Sequence, residues 1–369
     1  MQFLFDHGHY PPNLEQIADL DRAAERLAVK LKSLKPDKLK ISEYNKRYLS
    51  LHYASLDGYL RKCVWILAWA FSDPNIPLEE QIFLEYGGGT GFLSLLAGEA
   101  GVAQVLYNDI YPVSCEDAGT LAESLNVKVD RYVPGDIDEV VLDFKNHQTS
   151  CTSIASNDVL EHVYRPYTLL ERMANLSKGS LTLAMASTAN GKNPRILYQH
   201  KKIHHRHEFK ERIPEAGHKQ IDATRAFLDI RKDIIREFCQ GISESEISRL
   251  AELTRGLRKD DIHTSVERYK RDRQLPKLIQ HPSNTCDPYT GNWAEHLLDF
   301  QKLTSVLKRE GFEARIEAGY YSNQSSISKR WVGAILNAWI TSLKSWGLFI
   351  APFFLLFGQR RSGLNKKER

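Results

Sequence analysis

Apolar positions change their period several times along this chain. Leu14, Ile17, Leu20, Ala24, Leu27, Leu31 and Leu34 recur at intervals of three and four, with Asn13 placed as a cap and Gln16 three residues on. That spacing predicts an amphipathic helix over 13–34. A second helix is expected from about 43 to 71, carrying Tyr44, Tyr48, Leu51, Tyr59, Trp65 and Trp69 and closed by Asp73-Pro74. From 81 to 190 short apolar runs alternate with helical patterns, ending in the strand Leu181–Ala186. Such alternation predicts a parallel sheet with helices on both faces. Residues 191–280 then turn polar and helical, and 281–369 return to apolar patterning. There a helix is expected over 328–344 and a last strand over Phe353–Phe357.

One junction in the alternating region carries chemistry. Ile82-Phe83-Leu84-Glu85-Tyr86 runs into Gly87-Gly88-Gly89-Thr90-Gly91 and then into the apolar stretch Phe92–Ala97. A strand, a glycine loop and a helix in that order form a cradle for a nucleoside-containing ligand, because glycine lets the backbone turn tightly and approach closely. Two common readings fail on spacing. The dinucleotide fingerprint needs glycine where Phe92 stands, and a phosphate-binding P-loop needs a Gly-Lys-Ser/Thr ending that is absent. What remains is acid-x-Gly-x-Gly-x-Gly, from Glu85 through Gly87, Gly89 and Gly91. A second apolar run, Ala103–Asn108, ends in Asp109, 18 residues beyond Gly91. In nucleoside-binding α/β folds an acid at an offset of about 20 meets the ribose hydroxyls.

Glu85 to Gly91 resembles motif I of the class I S-adenosylmethionine-dependent methyltransferases. Ser153–Asn157 followed by Asp158-Val159-Leu160-Glu161-His162 resembles the fourth-strand motif of their small-molecule, ubiquinone-biosynthesis-like branch. A Pro-Pro-aromatic element of the kind found in base-directed amino-methyltransferases is missing there. The resemblance covers about 80–190 and 282 to the end, including Thr285–His296 and the turn Gly311-Phe312-Glu313. It implies a Rossmann-like seven-stranded, mostly parallel sheet with an antiparallel last strand, and S-adenosyl-L-methionine as cofactor. The residues it implies as cofactor contacts are Glu85, Gly87, Gly88, Gly89, Thr90, Gly91, Asp109, Ile110, Asp136, Ile137, Asn157, Asp158 and Val159. Glu85 would help hold the amino group, Asp109 the sugar, and Asp136 with Ile137 the adenine, with Asp138 an alternative acid for the last role. His162 is the candidate base for a hydroxyl acceptor; a structural role, packing or bonding to backbone, is the competing reading.

At 369 residues the chain exceeds one such core. Its expected parts are an N-terminal helical cap (1–80), the cofactor-binding core (81–190), a helical insertion (191–280) and the second part of the core (281–369). The N-terminal helices either cap the cofactor mouth or cover a face of the sheet. The insertion holds 21 Lys and Arg against 14 Asp and Glu, a net +7 that leaves −3 for the rest of a chain of total +4. Read as a substrate lid, it favours an anionic acceptor; read otherwise, it is a solvated face of mixed charge. Its His200, His204, His205 and His207 fit a basic, solvated or substrate-facing helix better than a metal site, since methyl transfer needs no metal.

Five scattered cysteines without a C-x-x-C pair predict reduced thiols and a cytoplasmic setting. Met1–Tyr10 has neither the basic start nor the apolar core of a signal peptide. Between Trp331 and Gly358 the only charge is Lys344, which leaves apolar pieces of 13 and 14 residues, short of the ~20 a spanning helix needs. Burial of both in the core is expected. The alternative is membrane-surface contact through Trp331, Trp339 and Trp346 beside the basic tail 360–369. The expected activity is methylation of a small molecule or glycan, most readily at oxygen, with a lipid-linked intermediate or specialised metabolite as acceptor. RNA or protein methylation through the basic insertion, and non-catalytic cofactor binding, are the alternatives. Nucleic acid is disfavoured because no aromatic residues interleave the basic ones as a stacking platform.

Overall fold

The structure, a computed structural model, describes residue 11 and residues 14–212, 224–322 and 327–361. The cap expected of Asn13 and the side chain of Gln16 lie outside the described residues. In chain order the strands are β1 (Ile82–Tyr86), β2 (Gln104–Asp109), β3 (Arg131–Pro134), β4 (Ser153–Asn157), β5 (Leu181–Ser187), β6 (Glu313–Ala318) and β7 (Phe354–Arg360). Among them run the helices α1 (Leu14–Ser33), α2 (Glu43–Tyr53), α3 (Leu56–Ala70), α4 (Phe92–Glu99), α5 (Pro112–Ser124), α6 (Ile137–Asn146) and α7 (Pro166–Ala174). Then come α8 (Pro194–Phe209), α9 (Phe227–Phe238), α10 (Glu244–Leu253), α11 (Lys259–Asp272), α12 (Phe300–Arg309) and α13 (Ile327–Leu343).

The strands form one seven-stranded sheet in the order β3-β2-β1-β4-β5-β7-β6. The pairings among β1 to β5 are parallel, and β7 runs antiparallel between β5 and β6. This is the Rossmann-like arrangement with an inserted antiparallel last strand. Every residue of β5 is buried, as expected of a central strand covered on both faces. The edge strand β6 carries Glu313, Arg315 and Glu317, charges that blunt an open edge. Strand order reverses between β1 and β4, so a crevice opens outside their carboxyl ends, the usual ligand position in such sheets.

Tertiary contacts divide the chain into two compact units. The first takes in the described residues up to Leu160, Tyr167–Thr188 and those from Asp299 onward; the second is Glu161–Pro166 with Ala189–Leu298. In the first unit, Ile17, Leu20, Ala24, Leu27 and Leu31 of α1 share a core with α3, α4 and the sheet. Helix α3 is buried almost all round, and Trp65 and Trp69 stand edge-on to Phe353 and Phe357. The N-terminal helices thus cover a sheet face. The single helix expected over 43–71 is broken at Ala54-Ser55. On an unbroken helix, residues seven apart lie about 10 Å apart along the axis. The break instead stacks His52 on Tyr59 with ring centroids 3.9 Å apart.

In the second unit α9, α10 and α11 bury Ile230, Ile234, Leu250, Ile262 and Val266 together. Arg231, fully buried, pairs with the buried Glu208 of α8 and donates from Nε to the Ala251 carbonyl at 2.8 Å. Helix α8, expected as a basic, solvated or substrate-facing helix, is basic and exposed on one side only. Its His200, His204 and Glu208, four apart, are buried, while Lys201, Lys202, His205 and Arg206 are exposed.

The apolar carboxyl-terminal segment corrects a further expectation. β7 is buried in the core as anticipated, but α13 is not. Only Gly333, Asn337 and Ile340 of its described side chains are buried, and Trp331, Ile335 and Trp339 are more than half exposed.

Candidate functional site

The first unit assembles most of the expected residues at the carboxyl ends of β1, β2 and β4. Gly87, Gly89 and Gly91 all take positive φ (67°, 54° and 74°), which explains glycine at alternate positions. At Gly88 the reason is space, since an added Cβ would lie 2.3 Å from the Tyr107 ring. An added Cβ at Gly89 would meet nothing within 4 Å. The loop is therefore packed behind and open at its tip.

Its acids are already engaged. Glu85 is buried and accepts from the first-turn amides of α4, Leu93 at 3.3 Å and Ser94 at 2.8 Å. Burial pushes its carboxyl up to about 7, against the pull of these amides, with the nearby Asp109 charge raising it further. Asp109 accepts from the Gly89 amide at 2.9 Å through one oxygen and from the Tyr111 amide at 2.9 Å through the other. The Tyr107 hydroxyl adds a 2.6 Å bond to the Gly89 carbonyl. Each carboxylate oxygen has two lone-pair directions, so Asp109 retains acceptor capacity for a sugar hydroxyl. Ile110 beside it is 52 % exposed, an apolar surface at a strand end.

The third-strand residues sit in a helix start. Asp136 caps α6, accepting from the Asp138 amide at 2.7 Å, while Glu139 accepts from the Asp136 amide at 3.0 Å. This capping box explains why acids cluster there. It also separates the two candidate acids, since Asp138 lies inside the helix. Ile137 is half-buried.

At the end of β4, Asp158 takes φ 55°, an uncommon conformation for a residue other than glycine. It accepts from the Thr188 amide at 3.0 Å and pairs with Lys62 Nζ at 2.9 Å. Asn157 donates to the Tyr59 hydroxyl at 3.3 Å, and its Oδ1 is buried with no partner among the described residues. The side chain of Val159 lies within 2.7 Å of where a Cβ on Gly87 would stand. Burial lowers His52 to about 4, so it is neutral at physiological pH; the Asp158 charge opposes that shift and Lys62 adds to it. His52, Tyr59 and Lys62 belong to the N-terminal helices and escaped the motif reading. The one available signal is the Arg61-Lys62 pair, where the helix turns apolar, because a cation carried into the core requires a partner.

His162 lies in the second unit. Its Nδ1 is 3.0 Å from the Trp293 carbonyl, an acceptor, so Nδ1 carries the proton of the neutral ring. Nε2 is then the basic nitrogen, and it faces Glu295 Oε1 at 3.8 Å. The nearby His200 is buried and its Nδ1 has no partner among the described residues. Burial lowers its pKa, opposed by Glu295. His204 has both nitrogens committed, Nε2 donating to the Glu295 carbonyl at 2.9 Å and Nδ1 accepting from the Thr285 amide at 3.0 Å. His204 is a structural residue.

Comparison with known proteins bears on this arrangement. Residues 84–183, which run from β1 into β5 and contain the loop with Glu85, Asp109, Asp136 and Asp158, match the family model described as a methyltransferase domain. The chain carries a methyltransferase domain. No curated protein matches its sequence. Among solved structures, the chain is similar to magnesium protoporphyrin IX methyltransferase from Synechocystis PCC 6803 with bound S-adenosylhomocysteine. That match has 14% identity and a TM-score of 0.36, covering 82% of this chain and 84% of that one. It is also similar to a putative S-adenosylmethionine-dependent methyltransferase from Streptococcus mutans, at 12% identity and a TM-score of 0.28 over 32% of this chain and 33% of that one. Likenesses this distant add nothing to what the strand order and the matched segment show. The residues present fit the cofactor: a glycine at the loop tip with open space, an exposed Ile110, and a buried Asn157 oxygen without a partner.

Proposed function

We propose that this methyltransferase acts on an oxygen of a small or medium-sized acceptor, as in the ubiquinone-biosynthesis-like branch. The acceptor would be a glycan, a lipid-linked intermediate or a specialised metabolite. When bound, the cofactor supplies a methyl group activated by its sulfonium. The glycine loop and Asp109 would hold the sugar, Ile110 and Ile137 would flank the adenine, and Asn157 with its unpartnered oxygen would add a polar contact.

The observation that carries the oxygen reading is the state of His162. With Nδ1–H committed to the Trp293 carbonyl, Nε2 can take a hydroxyl proton, and Glu295 can stabilise the resulting imidazolium. A nitrogen or sulfur acceptor needs such a base less. The basic insertion gives weak support to an RNA substrate, because its arginines largely meet carboxylates within the same unit. Examples are Arg225 with Asp233, Arg236 with Glu244 and Arg273 with Glu246. The test is incubation with labelled S-adenosylmethionine and fractionated host extract, followed by mass identification of the product. His162→Gln should lower kcat by ~10²-fold or more with cofactor affinity unchanged. An N-methylated product or an unchanged rate would overturn the reading.

A further inference from the structure

We propose that the exposed face of α13, with the turn that follows it, docks this protein on an anionic phospholipid surface. Trp331 is 70 % exposed, Trp339 59 % and Trp346 67 %, and Val332, Ile335, Leu343 and Phe349 are exposed beside them. Trp331, Ile335, Trp339 and Leu343 follow one another at intervals of four, so they line one side of the helix. An apolar area of this kind is uncommon on a monomer surface and marks an interaction site.

The helix is held with this face outward. Asn337 is buried and accepts from the Tyr321 amide at 2.8 Å, while its Nδ2 donates to the Tyr321 carbonyl at 3.1 Å. Ile340 is buried on the same side, and Gly347 packs so closely on it that an added Cβ would lie 2.5 Å from the Ile340 carbonyl. A small rotation that would hide the tryptophans must break these contacts.

Charge selects the occupant. Lys329 and Arg330 at one end of the face and Lys344 at the other are exposed. From Gly319 to Arg361 the sequence has no Asp or Glu. A second copy docked face to face would bring cations against cations with no carboxylate on the face to meet them. A lipid surface supplies both what the apolar side chains and what the cations require, and tryptophan favours the headgroup boundary. At 17 residues the helix is about 25 Å long, and no helix among the described residues is long and apolar enough to cross a membrane. The helix would lie in the plane of the interface. The inference is independent of which acceptor is methylated.

The full chain should co-sediment with vesicles of phosphatidylcholine and phosphatidylglycerol and far less with phosphatidylcholine alone. The triple variant Trp331→Gln, Ile335→Gln, Trp339→Gln should lose at least tenfold in vesicle affinity, since it removes three of the apolar side chains the lipid boundary would cover. Because these side chains are exposed, the variant should keep its melting temperature and its affinity for S-adenosylhomocysteine. Lys329→Glu with Arg330→Glu should weaken binding and reduce its salt dependence, Lys344 remaining. The proposal fails if the parent stays in the supernatant at low salt, or if the triple variant binds vesicles equally well. It fails equally if ultracentrifugation shows a dimer that the triple substitution abolishes, which would give the face to a second copy.

Discussion

Glu85 offers a quantitative test of the loop. In the folded chain its carboxyl lies at about 7, against an ordinary value of 4.5, chiefly because it is buried. A folded-state value above the unfolded one means the native state holds the proton more tightly. The stabilisation is therefore complete below pH 4.5 and is lost as pH rises through about 7. One pKa unit is worth ~1.4 kcal/mol, so the whole effect is about 3 kcal/mol, of which roughly 2–3 falls between about pH 5 and about pH 8. Glu85→Gln abolishes the titration while keeping one acceptor for the α4 amides. The amide group it adds faces a second N–H, which costs ~1–3 kcal/mol at every pH. Urea unfolding of parent and variant across this range should show the stability gap shrinking by about 2–3 kcal/mol as pH rises. His52, in the same unit, titrates in both proteins, so the difference isolates Glu85. A gap that stays constant, or widens with pH, would refute the assignment of a buried, proton-holding carboxyl at this position.

Asp109→Ala removes the acceptor for the Gly89 and Tyr111 amides and for the sugar. Calorimetry with S-adenosylhomocysteine should show a loss of ~10²-fold or more, at about 1.5–3 kcal/mol per charge-assisted bond. Lys62→Met should destabilise the protein by ~1–3 kcal/mol by leaving Asp158 without its cation, and adding Asp158→Asn should recover part of that loss, as a double-mutant cycle in urea would reveal. Burial holds His204 at about 3 and His207 and His296 at about 4, below their ordinary 6.5. Groups depressed in the folded state stabilise above the unfolded value, so the second unit should lose stability as pH falls from 6.5 toward 4. The hydrogen-exchange protection factors of α8 and of the 281–298 segment should fall first on acidification.

The parts legible in the sequence share a physical reason. Strands buried on both faces read as mostly apolar runs, and β1, β2 and β5 are visible as such, whereas β4, Ser153-Ile154-Ala155-Ser156-Asn157, is legible only through the motif that follows it. The glycine loop was visible because three positive-φ positions demand glycine at fixed spacing. The break at Ala54-Ser55 is not visible, since apolar spacing continues through it and the nearest glycine, Gly58, lies beyond it inside α3. Nor was the fate of α13. Apolar spacing says that a face wants to leave water, and not whether the fold supplies a partner for it. The residues that brace Asp158 lie about a hundred positions upstream, where no motif binds them to the strand end they support.

Three of the four acids expected at the cofactor, Glu85, Asp109 and Asp158, share a property that no motif conveys. Glu85 is held by α4 amides, Asp109 by the amides of Gly89 and Tyr111, and Asp158 by Thr188 and Lys62. Each is oriented by the protein before any ligand arrives, and each fixes a different segment of the crevice wall. A site built this way loses little conformational freedom on binding, so more of the contact energy appears as affinity. It also means that substituting any of these acids disturbs the scaffold and the ligand together. Affinity alone therefore cannot assign a role to them. The Glu85 titration isolates the scaffold part of that double effect, because a change of proton occupancy moves charge while leaving the chain's shape in place.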